Sequence, residues 1–394
     1  MTRTPLTTTL RQWLFWCHLV AGVAAGVVIL IMCVTGVLLT YEKAITLWVD
    51  TRDLAITAPV DASTRLSIEA LMARVSAAEP SLTPTTLAVR ARATMPVALA
   101  AGPRMLYVDP YSGAIVGEGS TKVRAFFRSV TDWHRYLAAS GESRPTGRAV
   151  TGAANLAFLF IVISGICMWW PRSWNWNQIR TVLLFNGRLR GKARDFNWHN
   201  VIGFWSAVPL FFIVLGSAVI SYPWASNLIY RIAGEDPPAP ARAAGTSPAA
   251  GAIVTIGLDN LWARAEAQVP DWRIISLRLA TKADAPAVFT IDSGTGGQPQ
   301  KRGTLTLSRA DANGAKWEPF SAMTAGRRLR SWLRFVHTGE FYGLVGQTIA
   351  GLASLGGAIL VFTGLSLACR RFAAWIGRRR NGRSSNGAVS SRAA

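Results

Sequence analysis

Trp13-Leu-Phe-Trp-Cys-His-Leu-Val-Ala-Gly22 opens a run that continues through Thr35-Gly36 to Thr40 without one Asp, Glu, Lys or Arg. About 20 apolar residues suffice for a helix to cross the ~30 Å hydrocarbon core of a membrane. Residues 13–40 are therefore expected to span, and three further charge-free runs of sufficient length follow at 149–170, 198–224 and 341–369. The first run is too long for a signal-peptide core and lacks a small-residue cleavage site after it, so it is expected to stay as an anchor. The expected fold class is a membrane protein built on a four-transmembrane-helix bundle, with two long connections at 41–148 and 225–340.

Charge supports this reading once it is located. The 394 residues carry 42 Lys and Arg against 21 Asp and Glu, yet only 16% are charged and half are apolar. A nucleic-acid binder would cluster its basic residues on a folded face instead of diluting them among apolar runs, so that class is excluded. Residues 1–12, the loop 171–197 and the tail 370–394 together hold fifteen basic residues and one acid, Asp195. The positive-inside rule places these three segments, and both termini, in the cytoplasm. The two long connections then face the opposite compartment. Trp169, Trp170, Trp174, Trp176 and Trp198 fall at the expected cytoplasmic boundary, where indoles anchor helices.

The external connections share an order. In the first, Leu66, Ile68, Leu71, Met72 and Val75 have helical spacing with Ser67 as cap, followed by strand patterns at 86–89, 96–100 and 105–108 and a hairpin across Leu106–Val116. A helix before the second span completes it. In the second, 258–267 reads as helix, 274–279 and 287–291 as strands, and Thr304 to Gly314 ends in an Asn-Gly turn. Pro, Ala and Gly dominate Gly234 to Gly251, expected to be a linker. The repeat reaches into the spans: His18, Gly22 and Thr35-Gly36 align with His199, Gly203 and Gly216-Ser217, while His134 and Ser164-Gly165 align with His337 and Thr363-Gly364. This points to an internal duplication.

All four histidines of the chain occupy equivalent points of that repeat. Ionisable residues in or beside spans are costly and tend to be functional, and imidazole is a common axial ligand of haem iron. One pair on each side would hold two b-type haems, an inner one on His18 and His199 and an outer one on His134 and His337. Gly22, Ala25, Gly26 and Gly203 are small enough to admit a flat macrocycle or simply to pack helices closely. Arg11, Arg135 and Arg334 are candidate propionate partners, with lipid phosphate as the alternative. Cys17, Cys33, Cys167 and Cys369 all lie in spans; Cys17 points about 100° away from His18 and is expected to pack. No Cys-x-x-Cys-His, dinucleotide fingerprint, Walker loop or His-Glu-x-x-His occurs, so covalent c-type haem, nicotinamide binding, ATP hydrolysis and zinc proteolysis have no support.

The residues resemble the PepSY-associated transmembrane family of bacterial inner-membrane proteins linked to iron uptake, some of them ferric-siderophore reductases. The resemblance rests on His18 with Gly22 and Thr35-Gly36, Tyr107-Val-Asp-Pro-Tyr-Ser-Gly113, Trp133-His134-Arg135, Trp169-Trp170-Pro171, His199 with Gly203, and His337-Thr-Gly-Glu340 with Gly346-Gln347. It implies two periplasmic α/β PepSY-type domains, haem b, and an oxidoreductase that reduces Fe(III)-siderophore and releases Fe(II). Electrons would come from a cytoplasmic or quinol donor. In the second domain, Ile291-Asp-Ser-Gly294 reads as a blurred echo of the Asp109 turn. Two other readings remain open at this stage: a non-enzymatic PepSY membrane protein that binds peptides or regulates a protease, and a transporter-associated subunit. The absence of charged residues inside the spans argues against an ion path.

Overall fold

The computed structural model describes residues 5–54, 56–57, 65–169, 175–239, 257–282, 284–309 and 314–390. Trp170, Pro171 and Trp174, nearly all of the Pro/Ala-rich linker and the Asn313 side of the last expected turn lie outside these residues. In chain order the elements are α1 (Pro5–Leu39), α2 (Glu42–Thr51), α3 (Ile68–Ala78), β1 (Thr86–Arg90), β2 (Val97–Ala101), β3 (Arg104–Val108), β4 (Ile115–Glu118), α4 (Thr121–Tyr136) and α5 (Arg144–Trp169). They continue with α6 (Trp176–Leu183), α7 (Gly191–Ser221), α8 (Pro223–Ile232), α9 (Leu258–Gln268), β5 (Ile274–Arg278), β6 (Ala287–Asp292), β7 (Arg302–Leu307), β8 (Ala315–Pro319), α10 (Ala325–His337) and α11 (Gly343–Ser390).

Among the described residues four helices are long and apolar enough to cross a membrane: α1, α5, α7 and α11. Their shared core is Ile29, Cys33, Ala154, Phe158, Val162, Leu210, Val214 and Ala353, while many of their other apolar side chains point outward. That inversion is what a bundle solvated by lipid requires. Two details depart from the sequence reading. The third span stops at Ser221, because Pro223 cannot continue the ladder and instead starts α8, which carries Trp224 on an exposed face. Cys17 is exposed on the outside of α1, and Cys33 is the buried cysteine.

The eight strands form one antiparallel sheet in the order β4-β3-β2-β1-β5-β6-β7-β8. The expected two α/β units therefore share a sheet, joined where β1 pairs antiparallel with β5 from Thr86↔Arg278 to Arg90↔Ile274. Each four-stranded unit alone would leave this strand as an unpaired edge, and the pairing removes both edges. Helices α3 and α9 cover one face, over a core containing Leu71, Met72, Leu87, Leu99, Leu258, Ile275 and Phe289. They meet through a reciprocal pair of bonds: the Glu69 N–H donates to Asp259 Oδ1 at 3.0 Å, and the Asp259 N–H to Glu69 Oε1 at 3.3 Å. Ser67 caps α3 by accepting from the Ala70 N–H at 3.2 Å.

The turn after β3 is built as its sequence suggests, with the Tyr111 N–H bonded to Asp109 Oδ1 at 2.8 Å and Gly113 at φ 71°. Its topological counterpart follows β7, where the Ser308 N–H donates to the Gly314 carbonyl at 2.9 Å as that of Asp109 does to Ala114. Ile291–Gly294 joins β6 to β7 and corresponds to the tight turn after Ala101, so the proposed echo is corrected. The similarity of an Asp-x-Gly pattern concealed a different place in the sheet.

Helices α4 and α10 descend from the sheet to the bundle, and each is pinned at its start by an acid from the segment after a span. Asp50 of α2 accepts from Tyr107 Oη at 2.8 Å, from the Ser120 N–H at 2.8 Å and from Arg124. Glu235 accepts from Thr324 Oγ1 at 2.7 Å and from the Gly326 N–H at 3.0 Å. The backbone bond to Gly326, then the Thr324 hydroxyl, hold Glu235 below the ordinary carboxylate range. A depressed carboxylate contributes stability that is present above its unfolded pKa and is lost as pH falls through the folded one. Thermal unfolding of the full chain between pH 6 and 3 should thus show a shallower acid loss in Glu235→Gln than in the wild type. Identical acid limbs would refute the assignment.

Candidate functional site: two histidine pairs in the bundle

Each histidine is held through Nδ1. His18 on α1 bonds Ser164 Oγ of α5 at 2.8 Å, and His199 on α7 bonds Thr363 Oγ1 of α11 at 3.0 Å. At the other level, His134 near the end of α4 bonds Thr35 Oγ1 of α1 at 2.9 Å, and His337 at the end of α10 bonds the Ile213 carbonyl of α7 at 2.8 Å. Seventeen residues of α1 separate His18 from Thr35, which at 1.5 Å per residue is about 25 Å along the axis. The two levels therefore sit near opposite ends of the bundle.

These bonds decide the tautomer. The Ser164 hydroxyl donates to the Ile161 carbonyl at 3.1 Å, Thr35 to Ile31 at 2.6 Å and Thr363 to Ile359 at 2.8 Å. With its one proton committed to its own helix, each hydroxyl accepts from the imidazole, and a carbonyl such as Ile213 can only accept. All four rings thus carry the proton on Nδ1 and a lone pair on Nε2. Burial pushes His134 down to about 4, with His337 and Arg135 acting in the same direction and Met32 opposing them; burial likewise lowers His337. The outer pair is accordingly neutral at pH 7.

The repeat pairs Ser164-Gly165, Thr363-Gly364 and Thr35-Gly36 place the hydroxyl on the ring and a glycine beneath it. A Cβ at Gly364 would lie 3.3 Å from His199 Cε1, and one at Gly36 or Gly165 would lie 3.7 Å from His134 or His18 Cε1. In the fourth case Gly216 admits the backbone of α10, since a Cβ there would strike the Leu333 carbonyl and crowd His337. Gly147 performs the same service for α4 at the Tyr136 carbonyl, and Thr151 Oγ1 donates to the Arg135 carbonyl at 2.9 Å. Outside the spans the sequence signals nothing of this bracing.

His134 and His337 face each other with ring centroids 6.3 Å apart and planes tilted by 51°. Two imidazole nitrogens on one metal, each bond about 2 Å long, put ring centroids roughly 6 Å apart. His199 lies within electrostatic reach of His18. One turn beyond His18, a Cβ at Gly22 would meet nothing within 4 Å, whereas Gly203 and Gly26 are backed by Leu360 and Leu365. Among the described residues no three of His, Cys, Asp and Glu gather to hold an ion. Two imidazoles suffice for a metal that brings its own equatorial donors, and a porphyrin does so; the residues fit such a group.

The candidate propionate partners are placed differently. Arg135 and Arg334 are exposed on the helices of the outer pair, over the rings of Tyr136 and Phe335 at 5.3 and 5.7 Å. Arg11 is half-buried on α1, two turns before His18. Trp169 has turned inward: its ring lies 4.6 Å from that of Phe204, and its Nε1 is buried with no hydrogen-bond partner. Trp176 and Trp198 are exposed. Asp195, read from sequence only as a charge, is buried one turn before His199, where Arg194 at 3.0 Å, Ser366 Oγ at 3.0 Å and Arg370 at 3.6 Å surround it and tie α7 to α11.

No curated protein matches the chain at significant similarity. Residues 15–371, covering all four histidines and both halves of the sheet, match the family described as the PepSY-associated TM region. The chain belongs to that family of PepSY-associated membrane proteins.

Proposed function

We propose that the protein is a b-type cytochrome of the bacterial inner membrane that passes electrons across the membrane and reduces Fe(III)-siderophore on the periplasmic side, releasing Fe(II). The observation that carries this reading is the set of four imidazoles, each fixed through Nδ1 with its Nε2 lone pair free, arranged as two pairs at opposite ends of the bundle. The basic flanks, read by the positive-inside rule, support cytoplasmic termini and a periplasmic sheet. The shared element order of the two halves, and the matching places of their histidines, support a tandem duplication.

In this reading His18 and His199 hold the inner group, and His134 and His337 the outer one. Bound haem supplies reversible one-electron transfer at its iron. The protein's own residues do the rest: the Nδ1 bonds fix ring orientation and raise the basicity of Nε2, Gly22 leaves room beside His18, and the surrounding apolar helices exclude water. A reduced quinol or a cytoplasmic reductant gives up the electron. At the far side it enters the Fe(III) of the substrate, whose hard oxygen donors hold Fe(II) far less tightly. The iron is released without importing the chelate.

The visible spectrum of protein purified after haem-replete expression tests this. A Soret band with sharp α and β bands on reduction is expected, together with reoxidation by Fe(III)-siderophore and the appearance of trapped Fe(II). A preparation without a Soret band would sink the reading.

A further inference from the structure

Resting on the reductase reading, we propose that the bundle-facing side of the sheet, between Arg90 and Arg278, binds the substrate, and that it selects an anionic oxygen-donor iron chelate over an uncharged one. Alternation along the strands places Leu87, Val89, Ile275 and Leu277 under α3 and α9, and their neighbours on the opposite side. That side looks toward the bundle: Tyr107, on the same row, bonds Asp50 of α2. Across the centre of this face the ladder pairs Ala98 with Ala88, Ala88 with Ser276 and Ser276 with Thr290. Four short side chains in succession make a shallow floor in a place where sheets ordinarily carry bulky β-branched or aromatic residues. Ala88, Ser276 and Thr290 remain accessible to solvent.

The floor ends in two arginines. Arg90 is the last residue of β1 and Arg278 the last of β5, so the antiparallel pairing sets them at opposite ends of the seam. Four residues along strands rising about 3.4 Å each, one strand across, separate their Cα atoms by roughly 14 Å. Other charges on this face are neutralised locally: Arg302 by Asp292 at 3.3 Å, Asp50 by Arg124 and Lys316 by Glu318 at 3.1 Å. Neither Arg90 nor Arg278 has an acidic partner among the described residues. Two uncompensated guanidiniums flanking a floor of small residues complement a compact anion, and a tris-catecholate iron complex, a trianion rich in oxygen acceptors, has that character.

Gallium(III) chelates, which do not accept the electron, separate binding from reduction. Titrating the full-length protein in nanodiscs with a gallium tris-catecholate should show binding that weakens with salt, and a gallium tris-hydroxamate without net charge should bind at least ten-fold more weakly. Arg90→Gln and Arg278→Gln should each lower catecholate affinity several-fold and the double variant more than ten-fold, while Arg90→Lys retains much of it. Haem absorbance in the same samples reports the cofactor reading independently: a missing Soret band with intact gallium binding defeats that reading and leaves this one standing. Equal affinity for both chelates, an unaffected double variant, or no binding by wild-type protein with normal haem absorbance would each overturn the proposal.

Discussion

If each histidine pair holds a haem as proposed, alanine at His18 or at His199 is expected to remove about half of the bound haem, because the variant would lose the inner group and keep the outer pair. The remaining Soret band should match that of the wild type in shape and be abolished only when His134 or His337 is replaced as well. Haem per protein, measured by alkaline pyridine absorbance, checks this. Loss of the ring that supplies Nε2 should have a larger effect than loss of its support: Ser164→Ala or Thr363→Val leaves the ligand in place and weakens its orientation, with an expected fall of roughly 10–100-fold in haem affinity. Unchanged haem content in the His18 and His199 variants would refute the inner pairing.

The largest effect on stability is expected at Asp50. Its carboxylate is fully buried and gathers donors from β3, from the start of α4 and from Arg124. In Asp50→Ala the guanidinium of Arg124, itself largely buried, loses its counter-charge, and Tyr107 Oη and the Ser120 N–H lose their acceptor. Breaking one side of a buried ion pair typically destabilises by about 3–5 kcal/mol. Because α4 carries His134 at its far end, the proposed outer haem should be lost in the same variant while the proposed inner one is kept. Replacing Asp50 and Arg124 together should recover part of the loss in unfolding midpoint. An Asp50→Ala midpoint equal to that of the wild type would contradict the account.

The four spans were legible in the chain because lipid imposes a composition that soluble folds avoid, and runs such as Trp13 to Thr40 leave no competing reading. The Thr-Gly and Ser-Gly pairs were legible as marks of a repeat. Their task was not, since nothing local to Thr35 tells that its hydroxyl proton is committed to Ile31 and its lone pair to a ring ninety-nine residues away. The β1 to β5 pairing was hidden for a similar reason: both strands alternate normally, and sequence pattern carries no partner information. Asp195 looked like one acid among many arginines, and only the packing of α7 on α11 made it a buried junction. Trp224 was assigned to a span on hydropathy alone, and the break at Pro223 outweighed it.

The seam between β1 and β5 also constrains how the chain is made. Its partners are nearly two hundred residues apart in the chain, with α5, α6 and α7 between them, so two further membrane insertions must precede closure. Contacts so distant form late. During synthesis the first half of the sheet is complete with β1 still an open edge, a template for pairing with any passing strand. Closure of the sheet therefore follows insertion of α7, although it need not await α11, which comes after the last strand, and a chain arrested after α5 should aggregate through β1 instead of persisting as a half-sized domain.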